Sequence, residues 1–208
     1  MPPILTLLGL HLLGLLSPGP DFAIIMKNSM LHSRRAGIAT AVGIACGIIV
    51  TLTYCILGLG LLIEQSPIAF TAVKTLGALY LIYIGIKALR AKVSVIHDSV
   101  NQSTHTPVRF FKAWLDGFVC HVLNPKAALF ILGLFTLVVK TGTPMLVQVG
   151  YGVAMTLLCL SWFSMLAIMV THPRLLEKIR KIQPIIMKVM GVLLILFGVK
   201  IALMVRAG

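Results

Sequence analysis

Long apolar stretches alternate with short polar connections along the whole chain. Each stretch is at least as long as the roughly 20 residues that an α-helix needs to cross a bilayer. The six stretches cover residues 3–27, 36–63, 67–89, 110–139, 144–170 and 184–205. Hydrophobic residues make up 59% of the 208 residues and charged residues only 11%, as is typical of integral membrane proteins. The pattern predicts an all-α membrane protein with a single transmembrane domain over residues 1–208.

The first stretch contains a proline-glycine sequence that does not suit a continuous helix. Ser17 is followed by Pro18, Gly19 and Pro20, and Asp21 comes next. Proline removes backbone hydrogen bonds and glycine loosens the chain, so a helix is predicted to break here and to restart. Unpaired backbone groups are costly in lipid, and such a break is therefore expected to lie against protein or a polar cavity.

The fourth stretch contains a matching break, where Asn124 and Pro125 precede Lys126. Asparagine followed by proline is typical of a helix start, and a restarted helix carries a partial positive charge that suits an anion. Asp21 and Lys126 each follow the proline, so two intramembrane charges of opposite sign occupy equivalent positions. They are predicted to bind substrate or protons. The alternative is that they pair with each other and clamp the two breaks together.

Other polar residues within the stretches are weaker candidates. His121, close to the second break, could relay a proton, although a packed and hydrogen-bonded histidine is the alternative, and the same holds for His11. The chain contains four cysteines but no CxxC pair, so they are predicted to be packing residues. We also find no HExxH sequence and no Gly-x-Ser-x-Gly nucleophile motif, and we therefore expect no metal, no cofactor and no enzymatic activity.

The two halves of the chain resemble each other. Gly77 and Gly85, followed by Lys87, close the third stretch, and Gly191 and Gly198 close the sixth in the same way. Each half has three stretches, an odd number, so the halves must have opposite orientations. This predicts six helices in two inverted three-helix repeats, with helices 1 and 4 discontinuous. The repeats cover about 3–90 and 110–205, with a loop at about 91–109. Chance similarity between leucine-rich helices is the alternative.

The strongly basic charge of the chain is concentrated in alternate connections. Eighteen Lys and Arg residues face five Asp and Glu residues, giving a formal net charge of +13. The first, third and fifth connections (28–35, 90–109 and 172–183) are basic, and the second and fourth are not. Positive residues favour the cytoplasmic side and anionic lipids, so the charge indicates topology and lipid contact and not nucleic-acid binding. Six crossings would place both termini outside. If the first stretch is re-entrant, five crossings remain and the N-terminus is cytoplasmic.

These features, in this order, resemble the LysE/RhtB family of amino-acid exporters. The landmarks that carry the resemblance are Ser17-Pro18-Gly19-Pro20-Asp21, Ala36-Gly37 with Gly43-x-x-x-Gly47, Leu76-Gly77-Ala78-x-Tyr80-Leu81-x-Tyr83-x-Gly85, and Asn124-Pro125-Lys126. The resemblance covers essentially the whole chain. It implies a multi-pass protein of the bacterial inner membrane that exports amino acids or close derivatives, driven by the membrane potential or a proton gradient.

Repeat, charge and resemblance together predict a secondary transporter that works by proton-coupled alternating access. Lys126 and the restarted helices would hold the substrate carboxylate, and Asp21 would hold its ammonium until protonated. The residues predicted to bind substrate or protons are Asp21, Lys126, Asn124, Pro18, Gly19, Pro20, Pro125 and His121. The expected partners are an amino acid, protons and membrane lipids, and a homo-oligomer is left open. An ion or metal transporter or channel on the same plan is the alternative.

The distribution of charge makes a prediction about orientation. The three basic connections are expected to be cytoplasmic because they concentrate Lys and Arg. A single cysteine introduced between residues 94 and 106 should therefore resist a membrane-impermeant thiol reagent in intact cells and react after the membrane is permeabilised. Ready labelling in intact cells would reverse the predicted orientation.

Overall fold

The computed structural model describes residues 3–17, 19–65, 67–90, 108–139 and 143–206. Pro18 and residues 91–107 of the predicted loop therefore lie outside the described residues. All regular structure within these ranges is α-helical, which confirms the predicted all-α class. The eight helices found there are α1 (Pro3–Leu16), α2 (Pro20–Leu31), α3 (Arg34–Gln65), α4 (Pro67–Arg90), α5 (Phe110–Val122), α6 (Pro125–Val138), α7 (Met145–Val170) and α8 (Pro173–Arg206).

Two helices and two bent helix pairs account for the clearest membrane-spanning segments. By length and composition, Arg34–Gly58 of α3 and Met145–Val170 of α7 could each cross a bilayer without interruption. Helices α1 and α2 meet at an angle of 57°, and α5 and α6 meet at 58°, so each pair could form one further crossing. Both bends fall at the predicted prolines. The chain is therefore a multi-pass membrane protein whose first and fourth apolar stretches are each made of two helices.

Helix α8 begins at Pro173 and not at residue 184, where the last apolar stretch begins. Pro173 occupies the first turn, where proline is tolerated, and Pro184 lies inside the helix. Leu176 and Ile179 pack against the core, whereas Glu177 and Lys181 lie 4.0 Å apart on the exposed face. The basic segment after α7 is thus an amphipathic helical extension, and only residues 171 and 172 separate α7 from α8.

Glycines bring α3 and α5 into backbone contact. A Cβ atom on Gly43 would collide with the carbonyl oxygen of Trp114, and one on Gly47 would lie 2.9 Å from the Cβ of His121. The Thr40 hydroxyl donates a 3.1 Å hydrogen bond to a backbone carbonyl of α5. The Gly43-x-x-x-Gly47 sequence therefore serves in helix packing. Since the contacts advance along both helices together, α3 and α5 run parallel.

The glycines of the sequence repeat join α4 to α8. A Cβ on Gly85 would lie 2.7 Å from the carbonyl oxygen of Gly191, and a Cβ on Gly191 would lie 2.7 Å from the carbonyl oxygen of Gly85. Gly198 approaches the carbonyl oxygen of Ala78 in the same way, at 2.8 Å. A later residue of α4 thus meets an earlier residue of α8, which shows that the two helices are antiparallel.

The described helices form two groups that meet at the breaks. Helices α2, α3, α5 and α7 pack on one another, and α1, α4, α6 and α8 form the second group, with fewer contacts between the groups. The largest fully buried side chains include Leu7, Ile25, Met26, Ile44, Phe135 and Phe163. Each break joins a helix of one group to a helix of the other, and this places both breaks in the interior.

The contact at Gly43 predicts a specific loss of stability. In Gly43→Ala the new methyl group must displace the α5 backbone, at a cost of about 1–3 kcal/mol for overpacking. Gly58→Ala is the matched control, because it lies in the same helix with open space around it and gains the same helix propensity. The thermal midpoint of the purified protein in detergent should fall for Gly43→Ala relative to Gly58→Ala. Equal midpoints would contradict the close packing.

Candidate functional site

The two helix restarts are stabilised in different ways. Helix α2 begins at Pro20 after an extended Gly19, which offers no side chain as a cap. Helix α6 begins at Pro125, and the Asn124 side chain accepts a 3.1 Å hydrogen bond from the backbone N–H of Lys126. Proline suits both first positions because its missing N–H would have no helical partner there. The start of α6 is therefore capped by the Asn124 side chain, whereas the start of α2 has no side-chain cap.

The Asp21 carboxylate receives donors from the second break. His121 Nδ1 lies 2.9 Å from Oδ2, and Asn124 Nδ2 donates to Oδ1 at 3.2 Å. The Cys120 thiol points at Oδ1 from 3.7 Å. Only 14% of the Asp21 side chain is exposed, so these contacts replace most of the water that the carboxylate would otherwise bind. An acid in the first half of the chain is thus held by side chains of the second.

Lys126 makes the reciprocal contact with the first break. Its ammonium donates to the Ser17 hydroxyl at 2.7 Å and to the Ser17 carbonyl oxygen at 3.3 Å. A Cβ on Gly19 would lie 3.0 Å from Nζ, so glycine leaves room for the ammonium beside the start of α2. Asp21 attracts Lys126 electrostatically, but the shortest contact of its carboxylate is with His121, at 2.9 Å. Each charge is therefore anchored on the opposite break through a different residue.

A small cavity lies between the two charges. The space open to a water-sized sphere is ≈ 40 Å³, and about 10–15 Å³ on such a measure holds one water. Its polar lining includes His11, Ser17, Asp21, His121, Asn124 and Lys126, and its apolar lining includes Phe22, Ile48, Phe130 and Phe163. Gly19 also belongs to the lining. The predicted polar residues at the two breaks therefore share one cavity, which is the candidate site.

Some predicted residues shape the site without lining it, and others were missed. Of the described residues, Pro20 and Pro125 set the helix starts but do not line the cavity. The sequence pattern did not assign Ser17 or Phe130 to the site and left His11 a weak candidate. A signal for α1 was present, because His11 and Gly14 are three residues apart on one helix face, and Ser17 follows at the same spacing just beyond the helix end. Phe130 gave no such signal, since its place depends on the approach of α6 to Gly14.

The pattern of the LysE type translocator family matches residues 12–205, which is nearly the whole chain. The chain belongs to this family. Its members are translocators, and the helical, multi-pass architecture agrees with that class. The family match includes both breaks and the glycine contacts of α4 with α8.

Three relatives illustrate the similarity. YrhP, a membrane protein of Bacillus subtilis, is 31% identical over 192 residues, which cover 89% of this chain and 91% of that protein. A threonine efflux protein of Escherichia coli strain K12 is 27% identical over 94% of this chain and 95% of its own length. A leucine efflux protein of Salmonella choleraesuis is 30% identical over 62% of this chain and 59% of its own length. No solved structure gives a significant match.

Asn124 has two bonds that can be tested separately. Asn124→Ala loses both the cap of α6 and the bond to Asp21, and should lower the free energy of unfolding by about 1–2 kcal/mol. Asn124→Ser can still cap the helix but is too short to hold Asp21, so it should recover much of that loss. Chemical unfolding of both variants in detergent measures the difference. Equal losses for the two variants would show that the cap contributes little.

Proposed function

We propose that this translocator exports a small amino acid from the bacterial cytoplasm across the inner membrane. The relatives named as threonine and leucine efflux proteins support an amino-acid substrate, since the threonine exporter aligns with nearly the whole chain. A carboxylate and an ammonium that share one cavity between facing helix breaks also support it, and that juxtaposition carries the proposal.

The arrangement of charges suits a zwitterion. Lys126 lies against Gly19, at the start of α2 that has no side-chain cap, so an ammonium and a helix N-terminus are available to a substrate carboxylate. The Asp21 carboxylate can hold the substrate ammonium in place of one of its present donors. Phe130 and Phe163 would then contact an apolar part of the substrate. Each polar group of the substrate thus replaces a bond that already links the two breaks.

Transport requires the site to change shape. A cavity with room for about three waters is smaller than an amino acid, so binding must separate the groups that line it. The breaks are the natural hinges, because they join the two helix groups and carry few helical hydrogen bonds. We propose alternating access in which one helix group moves against the other about these breaks.

The helix directions support six crossings in two inverted repeats. The contacts of Gly14 with Phe130, Ser17 with Lys126 and Asp21 with His121 run in opposite order along the first and fourth stretches. This order, with a bend of only 57° between α1 and α2, supports one bent crossing over a re-entrant hairpin. The antiparallel pair α4 and α8 is what an inverted repeat requires.

Proton coupling is proposed to act through Asp21. While it is ionised, Asp21 attracts the substrate ammonium, and protonation from outside removes that attraction and releases the amino acid. The proton then leaves toward the cytoplasm when the site faces inward. Export of one amino acid would accompany entry of protons, so the carrier could work against a concentration gradient.

Dipeptide loading of bacteria tests the proposed function. Cells that express the protein are given dipeptides, which internal peptidases cleave, and the free amino acids that leave are measured over time. At least one small amino acid should leave faster than from cells without the protein. Unchanged efflux of every amino acid would contradict amino-acid export.

The same assay tests the two charges. Asp21→Asn should reduce export to the level of cells without the protein, because the amide keeps the shape and loses the charge. Lys126→Gln should also impair it, and the double variant should recover stability but not transport. Asp116→Asn is the matched control, since Asp116 lies on α5 outside the cavity lining. Normal, gradient-dependent export by Asp21→Asn would reduce Asp21 to a structural role.

A further inference from the structure

His11 and His121 line the cavity from two different helices, and each has a ring nitrogen without a hydrogen-bond partner among the described residues. The two residues are only 2% and 3% exposed, and both line the cavity. Among the residues that the structure describes, no group forms a hydrogen bond with Nε2 of His121. The backbone of Met155 interacts with the His11 ring, and at least one His11 ring nitrogen is left without a partner there. At least two buried nitrogens are therefore available to a ligand in one cavity.

The bond to Asp21 determines what His121 can do. Nδ1 is held 2.9 Å from Oδ2, and opposite an ionised carboxylate that nitrogen carries the hydrogen. Nε2 is then an acceptor directed away from Asp21. Protonation of Nε2 gives an imidazolium that the neighbouring carboxylate stabilises. The pair of His121 and Asp21 can therefore take up one proton from the cavity side.

His11 provides the second half of such an acceptor. The His11 and His121 rings interact electrostatically. A positive charge on one ring would therefore oppose protonation of the other. Leaving a buried polar group without a partner is costly, and an apolar residue at position 11 would avoid that cost. The cavity that both rings line has room for water. These features are those of a site that exchanges one proton, and a packed structural histidine does not need them.

Other titratable groups act on this pair from each neighbouring helix. Asp21 on α2 and Lys126 on α6 line the same cavity. The Cys120 thiol on α5 points at Asp21, and the charge of Asp21 acts electrostatically on the Cys159 thiol of α7. Lys87 on α4 acts on Lys126. Of these groups only Asp21 carries a carboxylate, and it contacts His121 directly, so a proton on His121 would lie beside a negative charge.

We propose that His11 and His121 form a shared proton-binding pair which, together with Asp21, carries the coupling proton. This inference rests on the proposed amino-acid export. A proton from outside forms an N–H bond on the pair and passes to the Asp21 carboxylate, where it forms an O–H bond as the amino acid leaves. When the site faces inward, that O–H bond breaks and the proton returns through the pair toward the cytoplasm. One proton is gained and lost in each cycle, and no group is oxidised or reduced.

Purified full-length protein in lipid vesicles gives the direct test. The vesicles are loaded with the amino acid identified by dipeptide loading, beginning with threonine. Efflux driven by an imposed pH gradient is compared with exchange of labelled for unlabelled amino acid at equal pH. The readout is the ratio of the two rates, because a merely structural defect lowers both rates together.

In wild-type protein, efflux driven by the pH gradient should be faster than exchange at equal pH. His11→Gln should lose this acceleration. His172→Gln is the matched control, since His172 is exposed between α7 and α8, and should keep it. A His11→Gln ratio equal to that of wild type overturns the proton pair. Exchange by wild type without any acceleration also overturns it but leaves amino-acid export standing, whereas absence of exchange by wild type contradicts the proposed function itself.

A second measurement covers the case in which His11→Gln does not fold. The chain has six histidines, and replacing His32, His97, His105 and His172 by Gln leaves only the two of the proposed pair. In that variant, labelled with ¹⁵N-histidine, addition of the amino acid should change the protonation of at least one imidazole ring. Ring signals that report the same protonation with and without amino acid would overturn the proposal.

Discussion

The structure depends on satisfying backbone and charged groups at two helix breaks that lie at membrane depth. Lipid cannot supply hydrogen bonds, so every group released by Pro20 and Pro125 needs a protein partner or a cavity. The two breaks provide this for each other. Lys126 donates to the carbonyl oxygen of Ser17, and Asn124 both caps α6 and donates to Asp21. Neither break could be exposed to lipid alone, and their contact therefore fixes how the first stretch meets the fourth.

This mutual satisfaction links binding to movement. The bonds that hold the breaks together are the ones that a zwitterionic ligand would replace, since its carboxylate would compete with Ser17 for Lys126 and its ammonium with Asn124 for Asp21. Separating the breaks without a ligand leaves buried charges unpaired, which is strongly unfavourable. With a ligand bound, the same charges stay paired while the breaks move apart. The free energy needed to separate the two breaks would thus be lower when the substrate is bound.

The sequence predicted the features whose signals are local. Proline, glycine and a charge inside an apolar run identify a break wherever the rest of the chain lies. The anchors of the two charges were not predictable. Ser17 meets Lys126, and Asn124 meets Asp21, only because one break approaches the other. The start of α8 was missed for another reason. Lys and Arg residues lower the hydropathy of its first turns, although Leu176 and Ile179 give them a packed face.

The helix groups that pack together are not the repeats of the sequence. Helix α3 belongs to the first repeat and α5 to the second, yet their backbones touch at Gly43, and α4 and α8 likewise join across the repeats. In the proposed inverted repeat, α7 and α1 are the equivalents of α3 and α5, but they meet through fewer contacts. Gly9 on α1 and Gly150 on α7 have open space where an added Cβ would lie. Two equivalent interfaces in unequal states are what alternating access requires, because the opposite state would tighten α1 on α7 as α5 separates from α3.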